Sequence, residues 1–122
     1  MLRDKDSAAI VAVRDIGRAR DFYANTLGLE LTNDNGDVLE FRTGKCGLVV
    51  YVSDFAGTNQ ANAVVWGVGG EIADIVADLK GKGVTFEHYD GMERDGDMHV
   101  AGEFRMVWFK DPDGNILHLN NM

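Results

Sequence analysis

Two hydrophobic patterns follow each other along this chain, first a short apolar run and then an amphipathic stripe. Residues 8–13 form a continuous apolar run, which is typical of a buried strand, and Asp15 after it is a suitable N-cap for a helix. The predicted helix ends at Gly28, because glycine readily adopts the left-handed backbone that closes helices. Polar and glycine-containing turns then separate three predicted strands at residues 29–32, 38–42 and 46–52.

The second half of the chain shows the same order. Residues 61–68 predict a strand, and apolar residues three and four positions apart predict a helix over residues 71–80. Further strands are predicted at residues 85–89, 104–110 and 116–120. The last two are joined by a tight turn, in which Pro112 presets the backbone and Gly114 tolerates a positive φ.

The spacing of the two halves indicates a repeat. Val13 and Val68 end the first strand of each half and lie 55 positions apart, and Gly28 and Gly83 close the helices at the same spacing. We therefore predict one α+β domain over residues 1–122, built from two βαβββ modules at about residues 8–52 and 61–120.

Composition and charge limit the possible partners. The net charge of −8, from 12 basic and 20 acidic residues, repels phosphate backbones, so we expect no nucleic-acid partner. No apolar run approaches the ~20 residues of a membrane span, and the N-terminus lacks the apolar segment of a signal peptide. The single cysteine, Cys46, excludes an internal disulfide. These features together predict a cytoplasmic protein.

The layout resembles the vicinal oxygen chelate superfamily, which includes glyoxalase I, extradiol dioxygenases, fosfomycin-resistance enzymes and bleomycin-resistance proteins. The resemblance covers about residues 8–120 and implies a curled mixed sheet around a central cavity, with helices outside. It is specific for the fold but not for one activity, because the superfamily hosts several chemistries and non-catalytic binders. The motifs that carry it are Val13-Arg14-Asp15, Ala19-Arg20-Asp21-Phe22-Tyr23, Leu27-Gly28-Leu29 and Phe109-Lys110-Asp111-Pro112-Asp113-Gly114-Asn115.

In enzymatic members of that superfamily, the first and last strands of each module carry the metal ligands. Carried onto this chain, these positions are Ala8, Val50, Ala63 and His118. Alanine and valine cannot coordinate a metal, and one imidazole alone holds a divalent ion weakly. We therefore expect no catalytic metal and no cofactor, and the chain is closest in character to the metal-free bleomycin-resistance branch. His88 and His99 are not expected to form a metal pair, since no third ligand is evident near them.

Strand alternation from these positions predicts an apolar and aromatic pocket. Its two polar groups are Glu40 and His118, and the turn at 111–115 sets Trp108 opposite His118. A three-residue loop at 43–45 would bring Glu40 to this face, whereas a four-residue loop would remove it. Residues 89–102 form a polar loop that acts either as a lid or as a simple excursion. The predicted pocket lining is Ile10, Leu48, Val50, Val52, Val65, Phe104, Met106 and Trp108.

Three functions fit this pocket. The first is metal-independent binding of a small hydrophobic or aromatic molecule, as in drug sequestration, with Glu40 and the negative charge favouring a cation. The alternative is a metal-independent isomerase or lyase in which His118 is the general acid/base and Glu40 assists it. The third is a scaffold whose cavity is filled by its own side chains. In each case the resemblance and the exposed strand edges predict a homodimer.

Overall fold

The computed structural model describes all 122 residues as two mixed sheets and two helices. The first sheet has the order β1-β4-β3-β2 and the second β5-β9-β8-β7-β6. In each sheet the module's first strand lies parallel to its last one, and the other neighbouring strands are antiparallel. The α+β class built on βαβββ modules is therefore confirmed. The strands are β1 (Ala9–Val13), β2 (Glu30–Asp34), β3 (Val38–Thr43), β4 (Cys46–Val52), β5 (Asn62–Gly67), β6 (Glu93–Asp95), β7 (Met98–Ala101), β8 (Phe104–Lys110) and β9 (Ile116–Asn120).

The helices begin and end close to where the sequence predicts. Helix α1 (Ile16–Asp21) is capped by Asp15, whose carboxylate accepts a hydrogen bond from the Arg18 backbone N–H, and it continues as a π-helical turn over Phe22–Thr26. Gly28 then takes a φ of 73°, which only glycine adopts without strain. Helix α2 (Ile72–Gly81) follows a short 3₁₀ turn at Gly69–Glu71. Neither helix is long and apolar enough to cross a membrane.

One face of each sheet packs with the helices into a shared core. Side chains from both modules form a single buried cluster, so we call these the core faces. Two buried hydrogen-bonding side chains join the modules: the Tyr23 hydroxyl donates to Asp111 Oδ2 at 2.8 Å, and Asn115 Nδ2 donates to the Ala12 carbonyl at 2.7 Å. The buried cluster includes Val11, Leu39 and Phe41 of the first sheet and Val107, Phe109, Leu117 and Leu119 of the second.

The second module departs from the prediction between its helix and β8. The expected strand at 85–89 is reduced to one bridge between Phe86 and Phe109, and the Glu87 N–H donates to the Trp108 carbonyl at 2.7 Å. Beyond that point the edge of β8 pairs with β7 instead. Residues 89–102, which the sequence predicts as a polar loop, therefore contain the hairpin β6–β7, and this hairpin is part of the second sheet.

Candidate functional site

The face of each sheet opposite the core carries most of the predicted pocket residues. We call these the open faces. Neighbouring residues in register share a face, so the pairs Ile10–Val49 and Glu40–Val49 place these three residues on the open face of the first sheet. The pairs Val65–His118, Trp108–His118 and Met106–Asn120 define the open face of the second sheet, which Phe104 also joins.

Three predicted pocket residues, Leu48, Val50 and Val52, lie on the core side of the first sheet instead. Leu48 and Val50 are 1% and 0% exposed and belong to the core, so their predicted position in the pocket is incorrect. The register explains the error: Val50 pairs with Val11 and Leu39, both core residues. Val52 pairs with Val13 and so also lies on the core side.

Glu40 reaches the open face by a route that differs from the prediction. The pair Thr43–Cys46 leaves only Gly44 and Lys45 in the loop, and Gly44 has a φ of 57°, as a two-residue hairpin with glycine at its first position requires. Glu40 therefore lies beside Val49 and Ile10 rather than beside Val50. Its carboxylate is exposed and forms no ion pair, so it is free to meet a cationic group.

The second open face has an aromatic layer around Trp108. The indole stacks on the His118 ring, with centroids 4.6 Å apart and an interplanar angle of 20°. The rings of His99 and Tyr89 pack edge-on against the same indole, at 5.0 and 5.2 Å. A bulge in β5 brings Asn62 to this face, and its side-chain oxygen accepts a hydrogen bond from Trp108 Nε1 at 3.1 Å. The indole is thus fixed in place before any ligand arrives.

His118 is held on both sides of its ring. Nδ1 lies 3.1 Å from the Val107 carbonyl, which can only accept, so Nδ1 carries the proton. Nε2 then accepts from the Asn120 amide at 3.3 Å. Burial lowers the pKa of His118, although its hydrogen bond to Val107 opposes the shift, and the ring is neutral at pH 7. Neither nitrogen is free to take or give a proton without breaking one of these contacts.

His99 joins two segments of the second sheet. Its ring is fully buried, and its Nε2 accepts from the Tyr89 N–H at 2.9 Å, where the chain leaves the edge of β8. Nδ1 must then carry the proton, and it has no hydrogen-bond partner. Burial is the main cause that lowers the pKa of His99, and the neighbouring His88 and Arg94 lower it further.

The side chains present do not fit the divalent metal site that the superfamily implies. The structure places Val50 in the core, and the β5 bulge brings Asn62 and Val65 to the open face while pairing skips Ala63. Of the family positions only His118 offers a donor, and both its nitrogens are already in use. No three His, Cys, Asp or Glu side chains of the chain lie close enough to share an ion.

The main cavities of the chain do not combine the two open faces. Val65 borders a cleft of about 410 Å³ between β1 and β5, and Glu40 borders a smaller depression of about 240 Å³ on the first sheet. Trp108, Met106, Phe104 and His118 line neither of them. Within one chain the two open faces therefore do not line a common cavity.

Three features of this region escaped prediction from the sequence. The hairpin β6–β7 could have been found from Gly96-Asp97, because glycine followed by aspartate is typical of a two-residue hairpin turn. The role of His99 depends on a contact with Tyr89, ten positions earlier, for which the sequence carries no signal. The β5 bulge that recruits Asn62 lies in an apolar run and has no glycine or proline to mark it.

Comparisons with known proteins agree with this architecture. A glyoxalase family protein from Enterococcus faecalis superposes with a TM-score of 0.74 at 21% identity, covering 98% of this chain and 99% of that one. A fosfomycin resistance protein from Listeria monocytogenes gives 0.75 at 17% identity (96% and 90% covered), and a lactoylglutathione lyase from Agrobacterium tumefaciens gives 0.71 at 17% (95% and 92%). At these identities the likeness shows the fold alone. The family model of the Glyoxalase/Bleomycin resistance protein/Dioxygenase superfamily matches residues 7–119, and the chain belongs to that superfamily.

Proposed function

We propose that this protein binds a small hydrophobic or aromatic molecule, with a preference for a cation and without a metal, in a drug-sequestration type of role. The observation that carries the proposal is the aromatic layer of the second open face. There Trp108 is held against neutral His118, beside Val65, which is 58% exposed. A rigid aromatic surface next to exposed apolar side chains supports stacking and burial of a flat ligand. Glu40 supplies the only candidate for a charged contact among the predicted pocket residues.

We propose further that two copies of the chain form the site. Ile10, on the first open face, is 60% exposed, so both open faces leave large apolar side chains in water. Pairing the open face of one copy with that of another would bury this surface, at roughly 25 cal/mol per Å². It would also set Glu40 of one copy opposite Trp108 of the other. Members of this superfamily are often dimers, which agrees with this arrangement.

The acid/base alternative has weaker support. A general acid/base must reach its substrate with a free nitrogen, and both ring nitrogens of His118 are engaged within the protein. The scaffold alternative has some support, because three neighbouring rings already pack on Trp108. The experiment below distinguishes it from ligand binding.

The test titrates three related ligands into a variant that keeps a single tryptophan. Bromobenzene, 4-bromobenzylammonium and 4-bromobenzoate carry the same quenching ring with charges of 0, +1 and −1. In the Trp66→Phe variant all tryptophan emission comes from Trp108. We expect saturable quenching of this emission, tightest for the cation, and sedimentation velocity should show a dimer. Absence of quenching by all three compounds would contradict the proposal and favour the scaffold, and tighter binding of the anion would contradict the cationic preference.

A further inference from the structure

We propose that the protein has a second binding site, on the core side of the sheets, that takes a neutral apolar molecule of one or two rings. The site is a cavity of about 240 Å³ at the place where α2 and the chain after the π-helical turn meet the two sheets. Leu79, Phe109 and Leu119 form its buried floor. Eight of its ten lining residues are hydrophobic, from both modules.

The cavity is a cleft that opens to solvent: seven of its ten lining residues are half-buried or exposed, and Leu79, Phe109 and Leu119 are buried at its base. It leaves apolar side chains of the core face without the close contacts that they have elsewhere in the protein. Trp66 shows the effect of the space: it lies on the core face, yet it remains only half-buried because the cavity adjoins it. A bulky residue beside an unfilled space lacks van der Waals contacts on that side, and a ligand in the space could supply them.

The polar groups around the cavity identify the chemistry of the ligand. Trp66 Nε1 donates to the Thr43 hydroxyl at 2.9 Å, so the indole N–H is already satisfied. Asp78 is the only exposed residue of the lining and so marks the mouth, where it pairs with Lys82 at 3.1 Å. No unpaired charge remains to compensate an ion entering an apolar space, and an uncompensated ion there is strongly disfavoured. The cavity therefore selects neutral molecules.

The volume sets the size of the ligand. An apolar cavity of about 150 Å³ is known to hold benzene, whereas pockets for drug-sized ligands begin at about 300 Å³. The present cavity lies between these limits. One aromatic ring with a substituent, or two fused rings, would fill it.

The cavity is separate from the open-face site, and each site has its own tryptophan. Trp66 pairs with Leu119 on the core face, whereas Trp108 pairs with His118 on the open face. A compound that enters the cavity should therefore change the emission of Trp66, and one bound at the open face should change that of Trp108. The two proposals can fail independently.

The test titrates the Trp108→Phe variant, in which only Trp66 emits, with the three brominated compounds. We expect saturable quenching by bromobenzene and at least tenfold weaker quenching by the two ions, the reverse of the cation preference expected at Trp108. Ile75→Phe should fill the cavity and weaken bromobenzene binding at least tenfold. Ala77→Phe, on the exposed side of the same helix, is the matched control and should leave it unchanged.

Several results would overturn this proposal. One is bromobenzene quenching of Trp108 in the Trp66→Phe variant without quenching of Trp66 in the Trp108→Phe variant. Another is equal bromobenzene binding with and without the Ile75→Phe substitution in the Trp108→Phe protein. A Trp66 signal that follows protein concentration rather than bromobenzene would show that a second copy covers the cavity. If Ile75→Phe does not fold, as judged by circular dichroism, the thermal midpoint of Trp108→Phe decides: bound bromobenzene must raise it and 4-bromobenzoate must not.

Discussion

The two sheets of this protein share their strand order and their core faces, but their open faces differ. The first open face is bare: Ile10 and Glu40 are both exposed on it. The second is covered by its own rings and amides, with His99, His118 and Asn120 buried on it. Burial under the helices imposes the same apolar alternation on both core faces, whereas no helix covers the open faces to impose a common pattern. The second open face therefore holds the aromatic and titratable rings, whereas the first is an apolar surface with one exposed carboxylate, that of Glu40.

The largest expected effect is a loss of stability that tests which residues of β4 lie on the core face and which on the open face. Leu48 and Val49 are neighbours on β4, but Leu48 is 1% exposed in the core and Val49 lies on the open face. Leu48→Ala should lower the free energy of unfolding by about 2–5 kcal/mol, since it removes buried methyl groups and leaves a cavity. Val49→Ala should cost less than about 1 kcal/mol in urea denaturation. Equal costs would contradict the assignment of β4.

This strand also shows how far the sequence could lead. Alternation counted from the family positions Ala8 and His118 predicts that Ile10 and Trp108 lie on the open faces, and the strand register agrees. The run Leu48-Val49-Val50-Tyr51-Val52 is apolar at every position, so alternation cannot tell its two faces apart. Its register depends on pairing with β1, about 40 residues earlier in the chain, which no local pattern reveals. The sequence therefore predicts the fold, but it does not predict which face of the first sheet the side chains of β4 occupy.

The next largest expected effect is a loss of stability at low pH, caused by the buried histidines of the second sheet. Burial lowers the pKa of both His99 and His118 below the ordinary 6.5. The unfolded chain therefore binds protons first as the pH falls, so the stability present above pH 6.5 is lost during acidification. We expect the free energy of unfolding to fall between pH 7.5 and pH 5, with a slope of up to about 1.4 kcal/mol per pH unit for each histidine. Urea denaturation across this range measures it.

Single substitutions assign this slope. His99→Gln keeps an acceptor for the Tyr89 N–H without titrating, so it should flatten the slope, and His118→Gln should do the same. His88→Gln is the control, because His88 is exposed and adds only a smaller part to the pKa shift that burial gives His99; it should keep most of the slope. A slope that survives in both buried-site variants would place the acid sensitivity elsewhere. Asp34 and Asp97, whose pKa values are lowered by hydrogen bonds and ion pairs, are kept out of the measurement because they titrate below pH 5.

The smallest expected effect is the contribution of Glu40, on the open face of the first sheet, to the choice of ligand. Glu40→Gln removes the unpaired carboxylate of the first open face and keeps its shape. An exposed charge pair is worth about 0.2–1 kcal/mol, so the variant should bind 4-bromobenzylammonium about 1.5-fold to fivefold more weakly, as followed by Trp108 emission in the Trp66→Phe background. Bromobenzene should bind as before. Glu71→Gln, beside α2, makes the same change of net charge away from the site and separates a local contact from the general field. If both variants weaken the cation equally, the preference comes from the net charge of −8 and the first sheet acts only as an apolar wall.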